Sequence, residues 1–116
     1  MPVSSSFRTF VVDQLSRVVP HLRARAMFGG VGIYAGDLFF ALIADDSLYF
    51  KVNDSNRQDF ERLGMKPFQP YGEGGEIMQY YQVPADLLDD PETLQPWAEK
   101  AIAVAAKKRK GKRDRD

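Results

Sequence analysis

A chain of 116 residues, 44% apolar and 28% charged, holds enough material for one hydrophobic core and too little for a two-domain dehydrogenase or a kinase. It has no cysteine, which removes disulfides, thiol nucleophiles and thiolate metal sites together, and no apolar run approaches the roughly 20 residues that cross a bilayer. The zero net charge is a cancellation: seven basic against two acidic residues give residues 107–116 a charge of +5, while nine basic against fourteen acidic leave −5 on residues 1–106, a body whose sign does not advertise a phosphate-binding face.

Phe7, Phe10, Val11, Leu15, Val18 and Val19 recur at spacings of three and four. They predict an amphipathic helix capped at Ser6 or a serine just before it and running towards Val19, with Pro20 helping to end it. The period then changes. From Val31 to Val52 the chain is rich in Val, Ile, Leu, Phe and Tyr, and Gly36-Asp37 and Asp45-Asp46-Ser47 are turn signals of hairpin length. Three consecutive strands follow, at about 28–35, 38–44 and 47–52.

Ser55 with Gln58 fits a capping box, Phe60 and Leu63 offer one apolar face, and Gly64 suits a helix C-terminus, which predicts a short second helix. Phe68 opens another extended segment, "PYGEGGE" reads as a glycine loop, and Ile77 to Val83 as a further strand stopped by Pro84. Asp86 to Asp90 reads as a helical turn. With Thr93 as N-cap of the last helix, Pro96 falls in the first turn, where its missing N–H has no partner to lose. Leu94, Trp97, Ala98, Ala101, Ile102 and Ala105 then make one buried stripe, with Trp97 in the core. The expectation is an α+β domain over residues 1–106: an antiparallel meander sheet of four to five strands with N- and C-terminal helices packed mainly on one face. Residues 107–116 are expected to form a basic, disordered tail, the alternative being a last helix extended as far as Gly111.

Gly30-Val31-Gly32-Ile33-Tyr34-Ala35 satisfies the letter of the dinucleotide-binding pattern. That pattern works when its glycines lead from a strand directly into a helix whose N-terminus faces the pyrophosphate. Here a tight turn and the strand "LFFALI" follow, so the glycines are read as marks of a bulge, a bend or a close backbone approach, and no cofactor is expected. His21 is the only histidine, which excludes a histidine-rich metal site within one chain, and it is read as an ordinary loop imidazole after Pro20. Asp45-Asp46 and Asp86, Asp89 and Asp90 fall where aspartates satisfy turns and helix ends. No catalytic or metal-binding residue is assigned; an enzyme acting on a small metabolite in the concavity of the sheet is the third reading.

A surface for a partner is more legible. Lys51 interrupts the strand between Phe50 and Val52, so it shares the opposite face with Tyr49. Tyr80 and Tyr81 are adjacent and point to opposite faces, so only one can join them. Met27 and Phe28, with Gly29 and Gly30, belong either to the core or to an edge that pairs with a second copy in a homodimer. Arg25 completes this candidate interaction surface, and Arg23, Arg25 and Lys51 form the basic patch available on the body.

The order of these residues also resembles a known family. "RAMFGGVGIYAGDLFFALIADDSLYFKVND", then "FERLGMKPF", "YYQVP" and a helix ending "AEKAIAVA", is similar to the N-terminal domain of the TfoX/Sxy proteins, regulators of competence genes in transformable bacteria. Met27-Phe28-Gly29-Gly30 is the most specific part. The resemblance implies an antiparallel sheet flanked by helices, no catalytic activity, and a role in transcriptional control or in binding another macromolecule. Full-length members carry a second, helical domain where this chain has its basic run. The expected partner is a protein; with no cysteine the chain is read as cytoplasmic, and with no long apolar run no membrane contact is expected. The alternative is a nucleic-acid-associated protein holding DNA without sequence preference through Lys107, Lys108, Arg109, Lys110, Lys112 and Arg113.

Overall fold

The computed structural model describes residues 4–27, 29–69 and 79–114, with side chains described as far as Lys107. Helix α1, Ser5–Ser16, begins where Ser4 Oγ accepts the Phe7 N–H at 3.2 Å, so the cap is Ser4, two residues before Ser6. It ends before Val18 and Val19, which follow in a turn; there the Val19 N–H reaches the Leu15 carbonyl at 2.8 Å. Val11, Gln14 and Leu15 form its buried face, and Phe10, counted in the apolar stripe, is 39% exposed because it lies on the flank of that face. Gln14 is buried without loss, since its Nε2 donates to the Leu88 carbonyl at 2.6 Å.

Five strands follow: β1 Leu22–Met27, β2 Gly30–Ala35, β3 Leu38–Ala44, β4 Ser47–Lys51 and β5 Tyr80–Gln82. They form one antiparallel sheet in the order β1-β2-β3-β4-β5, a meander. The β3–β4 turn is Asp45-Asp46, both at φ 53°, the left-handed pair that matches the twist of flanking strands. Asp46 Oδ1 also accepts the Ser4 N–H at 2.7 Å, tying the start of α1 to this turn. β1 was not expected, and the expected first strand at 28–35 begins at Gly30, with Phe28 outside the described residues. Ile77 of the predicted last strand and the "PYGEGGE" loop lie outside them as well. The extended segment at Phe68 is a short flank on β5: Pro67 bridges Tyr81, and the Phe68 N–H donates to the Tyr80 carbonyl at 2.8 Å.

Helix α2, Arg57–Glu61, has Asn56 as N-cap, and the Ser55–Gln58 capping box does not form. Ser55 Oγ donates instead to Asn53 Oδ1 at 2.5 Å, while Asn56, 1% exposed, accepts the Asn53 N–H at 2.9 Å and donates to the Lys51 carbonyl at 3.1 Å. Phe60 is buried, but Leu63 is 54% exposed because the helix has ended before it, ahead of Gly64 at φ +73°. Helix α3 is Ala85–Leu88 and helix α4 is Pro91–Asp114. Asp90 replaces Thr93 as the start signal: its Oδ1 accepts the Glu92 N–H at 3.1 Å and its carbonyl the Leu94 N–H at 3.0 Å. Pro91 takes the first helical position, where proline suits the helix, and Pro96 sits in the helix interior.

Leu94, Ala98, Ala101 and Ala105 run along the centre of the buried stripe of α4, with Trp97 and Ile102 on its flanks. Trp97 is therefore half-buried at the edge of the core, edge-on to Phe60 at 4.9 Å between ring centroids. The core proper is Phe40, Phe50, Phe60, Ile33, Ile43 and Leu48 beneath α1 and α4. A register shift pairs Ile33 with Ala41 but Tyr34 with Phe39, so Phe40 is the extra residue of a bulge and is fully buried beside Ala41. α4 packs on β3 and β4 and α1 on β1, which places these helices on one face of the sheet. Among the described residues no helix is long and apolar enough to cross a membrane.

Candidate functional site

Alternation along the strands sends a second set of side chains to the face away from the helices. The cross-strand pairs Arg23↔Tyr34, Arg25↔Gly32, Tyr34↔Phe39, Gly32↔Leu42, Leu42↔Tyr49, Tyr49↔Gln82 and Lys51↔Tyr80 fix its membership. No helix among the described residues packs on it.

The glycines of "GGVG" have two different causes. A Cβ on Gly30 would stand 2.6 Å from the Ile43 carbonyl oxygen, so β2 and β3 approach too closely there for any side chain. A Cβ on Gly32 would meet the Met27 Cε at 2.8 Å and Phe39 Cε1 at 3.2 Å. Met27 and Phe39 thus share the space over Gly32. Gly29, at φ +79°, turns the chain from β1 to β2. β2 leads through Gly36-Asp37 directly into β3, so no helix follows the glycines in the chain.

From Met27 the aromatic row continues across the sheet. Tyr34 stacks on Phe39 at 5.0 Å between centroids, and Phe39 meets Tyr80 at 5.8 Å. Lys51 Nζ lies 5.7 Å from the Phe39 centroid and 5.5 Å from that of Tyr80, within reach of a cation–π attraction to both. Tyr49 packs on Phe68 at 4.8 Å. Burial, and secondarily the neighbouring Tyr34, push the Tyr80 phenol up to about 12. Burial and then Asp45 raise that of Tyr49, against a hydrogen bond with Ser47. Both phenols are neutral at physiological pH, so the formal charge within the face comes from Arg23, Arg25 and Lys51.

Tyr80, not Tyr81, is the tyrosine that joins Tyr49 and Lys51. Tyr81 faces the core, where its hydroxyl donates to Glu61 Oε2 at 2.9 Å and its ring lies 6.0 Å from Phe60. Arg25, Met27, Gly30, Tyr49, Lys51 and Tyr80 of the candidate surface therefore lie on or border one face, and Gly29 sits at its rim. Tyr34, Phe39 and Phe68 were missed. Tyr34 is two residues from Gly32, and that spacing already assigns it to the glycine face; the face of Phe39 depends on the bulge, which leaves no clear signal. Lys107 lies beside Lys51, Asn53, Arg57 and Gln79 in a shallow groove. The α4 backbone is helical through Asp114, while the side chains of Lys108, Arg109, Lys110, Lys112 and Arg113 lie outside the described residues.

His21, at φ +58°, occupies the turn before β1 and its carbonyl accepts the Gly36 N–H at 2.9 Å. Among the described residues no three His, Cys, Asp or Glu side chains are grouped to hold a metal ion.

Residues 13–105 match the family model of the TfoX N-terminal domain. The chain belongs to the TfoX N-terminal domain family. The match takes in all five strands and runs from α1 well into α4, leaving the basic run outside it. No curated protein matches the chain.

Proposed function

We propose that this TfoX N-terminal domain is a non-enzymatic, cytoplasmic regulatory module that binds another protein through the open face of its sheet, in the control of competence-gene transcription or of DNA uptake. One observation carries the reading: Met27, Tyr34, Phe39 and Tyr49, all partly exposed, form an aromatic-rich face beside the buried Tyr80, with Arg23, Arg25 and Lys51 about it, and no described helix covers it. Tyrosines with an apolar body and a neutral polar tip suit an interface core, and arginines suit its rim. The family supports a competence-related role. The test is affinity capture from the native cells with nuclease present, followed by reconstitution with the purified partner. Tyr49→Ala combined with Lys51→Ala, checked for a native circular-dichroism spectrum, is expected to lose the complex. Full retention by that folded variant would refute the assignment of the face.

A second reading is favoured by the groove that brings Lys107 beside Lys51 and Arg57. In it the end of α4 and this corner of the body contact DNA phosphates without reading sequence.

A further inference from the structure

β1 is an outer strand, and nothing among the described residues pairs with its outer edge. The other outer strand, β5, is flanked: the Phe68 N–H donates to the Tyr80 carbonyl at 2.8 Å, and the Gln82 N–H to the Lys66 carbonyl at 3.0 Å. The hydrogen-bond phase of β1 shows which of its groups point outward. The Gly36 N–H donates to the His21 carbonyl at 2.9 Å, which makes those two a hydrogen-bonded pair. In steps of two along the register, Arg23, Arg25 and Met27 turn their backbone groups towards β2, and Leu22, Ala24 and Ala26 turn theirs outward.

Both flanks of this edge are shaped. On the open face stand Arg23 and Arg25, both exposed and two residues apart, the period of one strand face. On the helix side, Ala24 and Arg8, Thr9, Val12, Asp13 and Ser16 of α1 enclose a groove of about 400 Å³. We propose that the β1 edge receives an extended acidic segment of a partner protein as a sixth strand. Its carboxylates, at alternate positions, face Arg23 and Arg25, and the small apolar side chains between them enter the groove beside Ala24. This deepens the protein-binding reading above and rests on it.

Charge complementarity selects the occupant. Two copies of β1 paired about Ala24 would set Arg23 of each opposite Arg25 of the other, and like charges directly opposed are destabilising. The arginines that discourage self-pairing thus favour a strand of opposite charge. A single-stranded nucleic acid has acceptors for the outward N–H groups but no regularly spaced donors for the outward carbonyls. A peptide strand supplies both, the mode of recognition known as β-augmentation.

The test titrates the ¹⁵N-labelled full chain with acetyl-Glu-Val-Glu-Val-Glu-Val-amide, with the Lys-Val counterpart, with the Glu-Val peptide N-methylated at its valines, and with a short oligothymidylate. The Glu-Val peptide is expected to give saturable shifts and slowed exchange at the amides of Leu22, Ala24 and Ala26, more weakly at high salt. The Lys-Val and N-methylated peptides should not. Arg23→Glu with Arg25→Glu should raise Kd about tenfold or more, as expected when rim charges are reversed. Ala26→Pro keeps both arginines and the β1–β2 ladder but deletes an outward N–H, and should also weaken binding. Absence of shifts at these amides, equal binding of the Lys-Val peptide, or tighter occupation of the same amides by oligothymidylate overturns the proposal. So does a native complex that survives Arg23→Glu/Arg25→Glu and Ala26→Pro but is lost with Tyr49→Ala/Lys51→Ala; in that case the open-face reading stands without the edge.

Discussion

At Gly30 an added methyl would collide with a backbone oxygen, that of Ile43 at 2.6 Å; at Gly32 it would collide with the far end of a flexible side chain, Met27 Cε at 2.8 Å. The distances are similar and the consequences differ, because a thioether can swing aside and a paired strand cannot. Gly30→Ala is expected to destabilise the domain by about 2–3 kcal/mol, the upper part of the usual range for overpacking, and Gly32→Ala by about 1 kcal/mol or less. Adding Met27→Ala should remove most of the Gly32→Ala penalty and none of the Gly30→Ala penalty, in a double-mutant cycle read by urea denaturation. Equal penalties at the two positions would refute this account. Tyr80 offers a second residue-scale test. Its folded-state pKa is raised from 10.0 to about 12, so the folded protein holds the phenolic proton more tightly than the unfolded chain does. Its contribution to stability is whole below pH 10 and is lost as pH rises towards 12. Urea midpoints measured from pH 8.5 to 11.5 should fall less steeply for Tyr80→Phe than for the parent, and parallel curves would contradict the burial of this phenol.

At the scale of elements, cap chemistry explains why α4 begins earlier than its apolar stripe suggests. Asp90 satisfies the Glu92 N–H with its side chain and the Leu94 N–H with its carbonyl, whereas Thr93 Oγ donates back to the Asp90 carbonyl at 2.9 Å and caps nothing. Asp90→Ala should therefore cost about 1 kcal/mol, the typical loss of an N-cap, and Thr93→Ala should cost clearly less in the same thermal or urea assay. The reverse order would restore Thr93 as the start of the helix. The same contest between neighbouring polar groups hid the start of α2, where Ser55, Asn53 and Asn56 are all plausible caps by type and Asn53 takes the Ser55 hydroxyl. β2, β3 and β4 were legible because β-branched and aromatic residues lie between glycine and aspartate turns. β1, "LRARAM", was not, since alanine and arginine carry little strand preference and only its partner β2 makes it a strand. For the site, the period of two placed Tyr49 and Lys51 together, while the partner register of Lys51 with Tyr80 decided which tyrosine joins them. The bulge at Phe40 is a tertiary choice that puts Leu38 and Phe39 out of phase with Ala41 to Ala44, so Phe39 could not be assigned by alternation from the rest of β3.

For the whole molecule the decisive feature is charge separation, −5 on residues 1–106 against +5 on residues 107–116. An acidic body repels a polyanion, and an appended basic segment attracts it, so any contact with DNA made through Lys107 to Arg113 is opposed by the rest of the chain. Such contact reads phosphates, hence it should be indifferent to sequence, weak near physiological salt and steeply salt-dependent. Lys107 alone of this run has a described side chain, and it lies beside Lys51 and Arg57, but Asp54 of the same groove is ion-paired to Arg57, so the body adds little net positive charge at that corner. Deleting residues 107–116 removes a charge of +5 and leaves the core of α4, whose buried stripe ends at Ala105, in place. The prediction is that the truncated protein folds with unchanged urea midpoint, and that any DNA binding by the full chain is lost, together with its salt dependence, in fluorescence anisotropy across a salt series. Binding that persists unchanged after deletion would transfer the contact to Arg23, Arg25 and Lys51 on the body. Absence of binding by both forms would remove the nucleic-acid reading and leave the open face and its β1 edge as the surfaces through which the domain acts.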